Sequence, residues 1–151
     1  MRIPLQIIQD QLRLAGIIRA PRYHVGTSTI DFVIDTGSNR DTIGYGDVLR
    51  LNIPQSVPCA EVTRIGGQTF NLHELRGVRL AFLDANNGTQ RFIANKIFLS
   101  LPAKKNEQER MEAAQIPSIL GLDFLKVHKL RLVCDPAHDE AYLEPASAAK
   151  T

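Results

Sequence analysis

Cysteine is nearly absent: Cys59 and Cys134 are the only two in 151 residues, and they match no CxxC or zinc-ligand spacing. So sparse a use argues against a disulfide framework and fits a reducing compartment, with both residues read as buried or idle thiols. His24, His73, His128 and His138 fall in no HExxH or other ligand spacing, so no metal is expected. There is no Gly-x-Ser-x-Gly elbow and no Cys/His pairing to support a covalent mechanism. Gly44-Tyr45-Gly46 lacks the Gly-Lys-Ser/Thr of a phosphate loop, and no cofactor is expected. A net charge of +2 is too small to argue for nucleic acid or an anionic membrane as a partner. No apolar run approaches the roughly 20 residues that span a bilayer. Arg2, Asp10 and Arg13 interrupt the apolar residues at the start, so no signal-peptide pattern is present and a cytoplasmic location is expected. Asn87-Gly88-Thr89 is accordingly read as a turn and not as a glycosylation site.

What the chain does have is strand material. Short β-branched and apolar stretches alternate with Gly, Pro and Asn punctuation. Strands are predicted over Ile3–Ile8, Leu12–Arg19 and Thr29–Ile34, then Gly77–Leu83, Arg91–Leu99, Leu130–Cys134 and Ala141–Leu143. Thr29–Ile34 is apolar on both faces, the mark of a central, buried strand. Glu61–Leu72 reads as a hairpin turning at Gly66-Gly67, where positive φ is needed. Helical signals are few. Lys104–Gln115 is rich in helix formers but too poor in apolar residues for a core helix, and is read as a solvated insertion or mobile loop. Leu122–Lys129 is the better helix, with Phe124 and His128 on one stripe. The size fits one domain, residues 1–145, followed by a disordered tail over 146–151.

One motif carries chemistry. The apolar strand Phe32-Val33-Ile34 runs into Asp35-Thr36-Gly37-Ser38, placing a single carboxylate at a tight, sterically undemanding turn. Asp-Thr-Gly alone is weak, and an ordinary turn aspartate is the alternative. Its context is what strengthens it: an apolar strand before, and Ile119-Leu120-Gly121 much later, opening the Leu122 helix. The motif occurs once, so a two-carboxylate site would draw its other half from a second copy of the chain.

The motif, the Ile65-Gly66-Gly67 turn and Ile119-Leu120-Gly121, in that order, resemble the retropepsins, single-domain aspartic proteases of retroviral type with cellular and bacterial relatives. The resemblance covers roughly residues 12 to 145. It implies an all-β fold, a small closed acid-protease barrel with one short C-terminal helix, working as a symmetric homodimer on a peptide or protein substrate. It implies catalytic roles for Asp35, Thr36 and Gly37, with Asp35 contributed by each subunit and Thr36 bonding across the dimer axis. Ser38, Asn39, Ile65, Gly66, Gly67 and Ile119 would meet substrate; Ser38 would also bond the outer oxygen of Asp35, and the glycines would form a flap tip.

Two departures stand out. The family's ion pair between the active-site loop and the segment after the second glycine has no counterpart, because Asn39 and Leu122 occupy its positions. Arg40, beside Asn39, is expected to pair with Asp123 or Asp41. The insertion at 104–115 is also unmatched. The chain therefore reads as an aspartic endopeptidase, or alternatively as a silent retropepsin-like dimer serving as a peptide-binding or assembly module.

Overall fold

The computed structural model describes residues 1–104 and 106–147. In chain order the strands and helices are β1 (Ile3–Pro4), β2 (Gln6–Ile8), β3 (Gln11–Ala20), β4 (Val25–Ile34), β5 (Thr42–Ile43), α1 (Tyr45–Arg50), β6 (Cys59–Ile65), β7 (Gln68–Leu75), β8 (Val78–Leu83), β9 (Thr89–Ala94), β10 (Ile97–Pro102), α2 (Glu107–Ala114), β11 (Ser118–Leu120), α3 (Leu122–Val127), β12 (Leu130–Asp135) and β13 (Glu140–Pro145). One large sheet runs β6-β7-β10-β5-β11-β4-β3-β8-β9, with β2 added against β3, and a small sheet runs β1-β13-β12.

The predicted central strand is central. β4 lies between β3 and β11, and Ile30, Phe32, Val33 and Ile34 are all buried. Phe32 meets Phe82 edge-on at 6.3 Å between centroids, and Phe82 meets Phe124 of α3 at 6.4 Å, so one aromatic chain joins β4, β8 and α3. Such contacts add about 1 kcal/mol each to the burial of the rings. Gly16 exists for this packing: a Cβ there would lie 2.4 Å from the Phe82 ring.

The sheet does not close into the expected barrel, because β6 and β9 end the strand path without pairing. Among the described residues β6 pairs only with β7 and β9 only with β8, so the two end strands do not meet. The core is sealed instead by α3 and the small sheet, whose Ile3, Leu130 and Leu143 are buried with it. Ile3 and Pro4 pair with Leu143 and Tyr142 of their own chain.

Other departures are local. The stretch predicted as one strand over Arg91–Leu99 is two, β9 and β10, broken at Asn95-Lys96. β10 leaves β9 to pair with β7 and, in parallel, with β5. The 104–115 insertion carries an eight-residue helix, α2, whose Asn106 side chain accepts from the Glu109 N–H at 2.8 Å. Its low apolar content has a simple reason: only Ala113 is buried. α1 has no counterpart among the predicted elements. It starts at Gly44-Tyr45-Gly46 because both glycines touch backbone, with a built Cβ only 2.4 Å from Ile116 O and 2.6 Å from Ala114 O. Both cysteines are free and exposed, not buried. Of the tail, Ala146 is held by Lys129 O, while residues 148–151 lie outside the described residues. No helix among the described residues is long and apolar enough to cross a membrane.

Candidate active site

Two extended segments cross at the end of β4. β11 runs parallel to β4, with Ser118, Ile119 and Leu120 facing Phe32, Val33 and Ile34. The Asp35 N–H continues that ladder to Leu120 O at 3.1 Å. Beyond it the chain turns sharply: Ser38 N–H donates to Asp35 O at 3.1 Å, and Gly37 N–H to Asp35 Oδ1 at 2.9 Å. A Cβ on Gly37 would lie 3.1 Å from that same carboxylate oxygen, so the small residue clears the approach. The carboxylate is thus oriented by backbone, from a core strand, at a half-buried position with Thr36 and Gly37 exposed beside it.

The second segment locks the loop. Leu122 N–H donates to Ser38 O at 2.8 Å, and Asp123 N–H to Asn39 O at 3.1 Å. Gly121 sits where these chains cross. A Cβ there would lie 2.4 Å from Ser38 O and 2.7 Å from Arg40 O, both backbone atoms with little room to move. Gly121→Ala is therefore expected to destabilise the protein by about 3 kcal/mol, read as a lowered midpoint in urea with an unchanged slope. A stability equal to wild type would show that the crossing is looser than this geometry.

Asp41 is the residue that sequence reasoning missed. Its side chain is buried, and Oδ1 accepts from Gly121 N–H at 2.8 Å, a bond that caps the start of α3. Burial pushes its carboxyl up from 3.8 to about 6, against the lowering effect of the Gly121 and Phe124 N–H groups; the nearby Asp123 charge raises it further. Its backbone is used as well, with Phe98 N–H donating to Asp41 O at 3.0 Å. One acidic residue thus ties the Asp35 loop, β10 and α3 together. Its place just past the motif is visible in the sequence; that it faces inward follows from the crossing alone.

Arg40 pairs with neither Asp41 nor Asp123. Its guanidinium meets both carboxylate oxygens of Glu61 on β6, with Nε–Oε1 at 2.5 Å and Nη2–Oε2 at 2.9 Å. This fork joins the loop to the β6–β7 hairpin. Ser38 Oγ donates to Arg40 O at 2.9 Å and not to Asp35, the expected partner. Both members of the Arg40–Glu61 pair are about a third exposed or more, so its contribution to stability is about 0–1 kcal/mol. Its effect should be on hairpin motion. Arg40→Glu is expected to raise amide exchange across β6 several-fold with little loss of stability, and adding Glu61→Arg to restore it. Unaltered exchange in Arg40→Glu would show that the pair does not restrain the hairpin.

The hairpin itself turns at Gly66 and Gly67, with φ of 57° and 81°, the positive values a two-residue turn demands. Ile65 ends β6, half-buried. Just past the turn, Gln68 Nε2 donates to Glu109 O of α2 at 3.0 Å, so the insertion braces the hairpin from outside. Among the described residues, no hydrogen bond joins Ile65, Gly66 or Gly67 to Asp35; the link between them runs through Arg40 and Glu61. Ile119, by contrast, is part of the crossing, paired with Val33 and Thr42. A hollow of about 270 Å³ lies elsewhere, lined by Tyr45, Asn71, His73 and Arg110, with Asp35 not among its walls.

No protein-family model matches the sequence, and no curated protein matches it. Among solved structures, a retropepsin-like aspartic protease from Rickettsia conorii is similar, with a TM-score of 0.57 at 15% identity. The match covers 95% of this chain and 89% of that one. An aspartate held at the end of a central strand, a glycine-tipped hairpin and a glycine opening a short helix thus lie within a shared overall topology: the chain has the fold of the retropepsin-like aspartic proteases.

Proposed function

We propose that the protein is an aspartic endopeptidase that acts as a homodimer, with one Asp35 from each subunit. The observation that carries this is the half-site: a single carboxylate, aimed by backbone from the core and flanked by exposed Thr36 and Gly37, in a fold shared with aspartic proteases. Two such carboxylates face to face hold one proton between them, as aspartic proteases generally do. The ionised partner takes a proton from a water lying between them while the protonated one polarises the scissile carbonyl, and the water oxygen attacks that carbon. No covalent intermediate and no cofactor is required.

Thr36 supports the dimer. Among the described residues its side chain makes no hydrogen bond, which suits a hydroxyl that finds its partner in the second subunit. Substrate would lie extended beneath the hairpin, with main-chain hydrogen bonds to Gly37 and Asn39 and apolar contacts to Ile65 and Ile119. Gly66 and Gly67 would close over it and exclude water.

The test is cleavage of a mixed peptide library at several pH values from about 4 to 7, for wild type and Asp35→Asn, with pepstatin in parallel. Cuts that disappear in the variant support the reading whether or not pepstatin blocks them; pepstatin resistance would point to an unusual pocket. No cleavage by a protein that is dimeric in solution would favour the silent peptide-binding module instead.

A further inference from the structure

We propose that the outer face of β3, β8 and β9, with the open edge of β9, docks an extended acidic segment of a partner protein, which adds to the sheet as a further strand. This surface is separate from Asp35 and independent of whether the protein cleaves peptides.

Charge is the first observation. A hollow of about 680 Å³ on this face is lined by Ile17, Arg19, Arg79, Ala81, Arg91 and Ile93, among other residues, none of them acidic. Arg19 stands directly opposite Arg79 across the β3–β8 ladder, and Arg91 stands opposite Ala81 on the next. Like charges facing each other on a sheet are destabilising, so the arrangement calls for an anionic counterpart. Several arginines elsewhere find one: Arg13 holds Asp31, Arg40 Glu61, Arg50 Asp47 and Arg131 Glu144. Among the described residues, Arg19, Arg79 and Arg91 hold none. Between them Ile17 is 43% and Ile93 54% exposed, giving an apolar floor within a cationic rim.

The backbone supplies the second observation. β9 ends the strand path, so one of its sides carries unpaired main-chain groups. Asp84 N–H donates to Gly88 O at the hairpin turn, which places the hydrogen-bonded pairs at Phe82–Gln90, Leu80–Phe92 and Val78–Ala94. The N–H and C=O of Thr89, Arg91 and Ile93 therefore point off the edge. These are the same residues whose side chains lie on the Arg/Ile face. A strand pairing here satisfies the free edge and, on that face, sets an acidic side chain against Arg91 and an apolar one, two positions away, against Ile93. Unpaired main-chain groups call for a peptide backbone, which a lipid surface lacks.

The probe is a short fluorescein-labelled peptide in which Glu and Val alternate with Thr, run beside its Lys-for-Glu counterpart and beside phosphatidylserine vesicles. Wild type is expected to bind the Glu peptide saturably and the Lys peptide not at all. Arg79→Glu combined with Arg91→Glu, both on the surface, should weaken binding at least tenfold while leaving the thermal midpoint near that of wild type. Amides of Arg91 and Ile93 should gain protection from exchange on binding. Three results would overturn the proposal: no saturable binding of the Glu peptide, protection at Ile65–Gly67 in place of β9, or vesicle binding that the arginine substitutions abolish while the peptide stays unbound.

Discussion

Asp35→Asn is expected to lower peptide cleavage by at least about a thousandfold, or some 4 kcal/mol of transition-state stabilisation, while leaving the fold intact. The amide keeps an oxygen for the Gly37 N–H but cannot ionise, so it neither takes a proton from water nor shares one with its twin. A more discriminating form of the experiment mixes wild type and variant in equal amounts under conditions where subunits exchange. If activity needs both carboxylates, only pairs of two wild-type chains work, and activity should fall to about one quarter of that of the same total amount of wild-type protein. Independent monomers would retain about one half on the same statistics. The quarter therefore tests the two-fold site, separately from the question of whether Asp35 is needed at all.

That the candidate half-site is legible in the sequence has a physical basis. A residue aimed from the core needs a strand buried on both faces, and the apolar run Phe32–Ile34, with Ile30 on the face of Phe32 and Ile34, announces one by composition alone. A tight turn past the carboxylate needs a residue without a side chain, hence Gly37. Gly66 and Gly67 are visible because positive φ is costly for other residues. Gly121 is legible only as part of a resemblance; its reason, contact with two backbone carbonyls, appears once the segments cross.

What stays hidden depends on partners distant in sequence. Arg40 has acidic candidates in Asp41 and Asp123, and nothing local says that Glu61, on another element, takes it instead. The strand break at Asn95-Lys96 follows from β10 being drawn to β5 and β7. Barrel closure is likewise a matter of where two edges end, and β6 and β9 end apart. The short α1 carries too little periodicity to be recognised, and the glycine pair at its start answers to the backbone of a distant segment, not to a phosphate. In α2, low apolar content signals exposure and not the absence of a helix.

Asp41 gives the second large effect, and its sign follows from burial. Its carboxyl is raised from 3.8 to about 6 in the folded protein, so between these values the folded state holds a proton that the unfolded state has released. Stability is then fully present below about pH 4 and lost as pH rises through about 6, by on the order of 3 kcal/mol, flat beyond. Asp41→Asn keeps a carbonyl oxygen for the Gly121 N–H and has no charge to desolvate. Against wild type in urea unfolding, the variant is expected to be near-equal at pH 4 and to gain stability steadily up to pH 6 and no further. A stability difference that does not vary between pH 4 and 7 would show that Asp41 titrates as it does in the unfolded chain. Asp41→Ala separates charge from capping: it too has no charge to desolvate but leaves the Gly121 N–H buried without a partner, so it is expected to lie about 1–3 kcal/mol below Asp41→Asn at every pH. The consequence reaches the site, because the loop that Asp41 fastens is the one that carries Asp35. Acid conditions, in which Asp41 is neutral, are those in which the Asp35 loop is held most firmly.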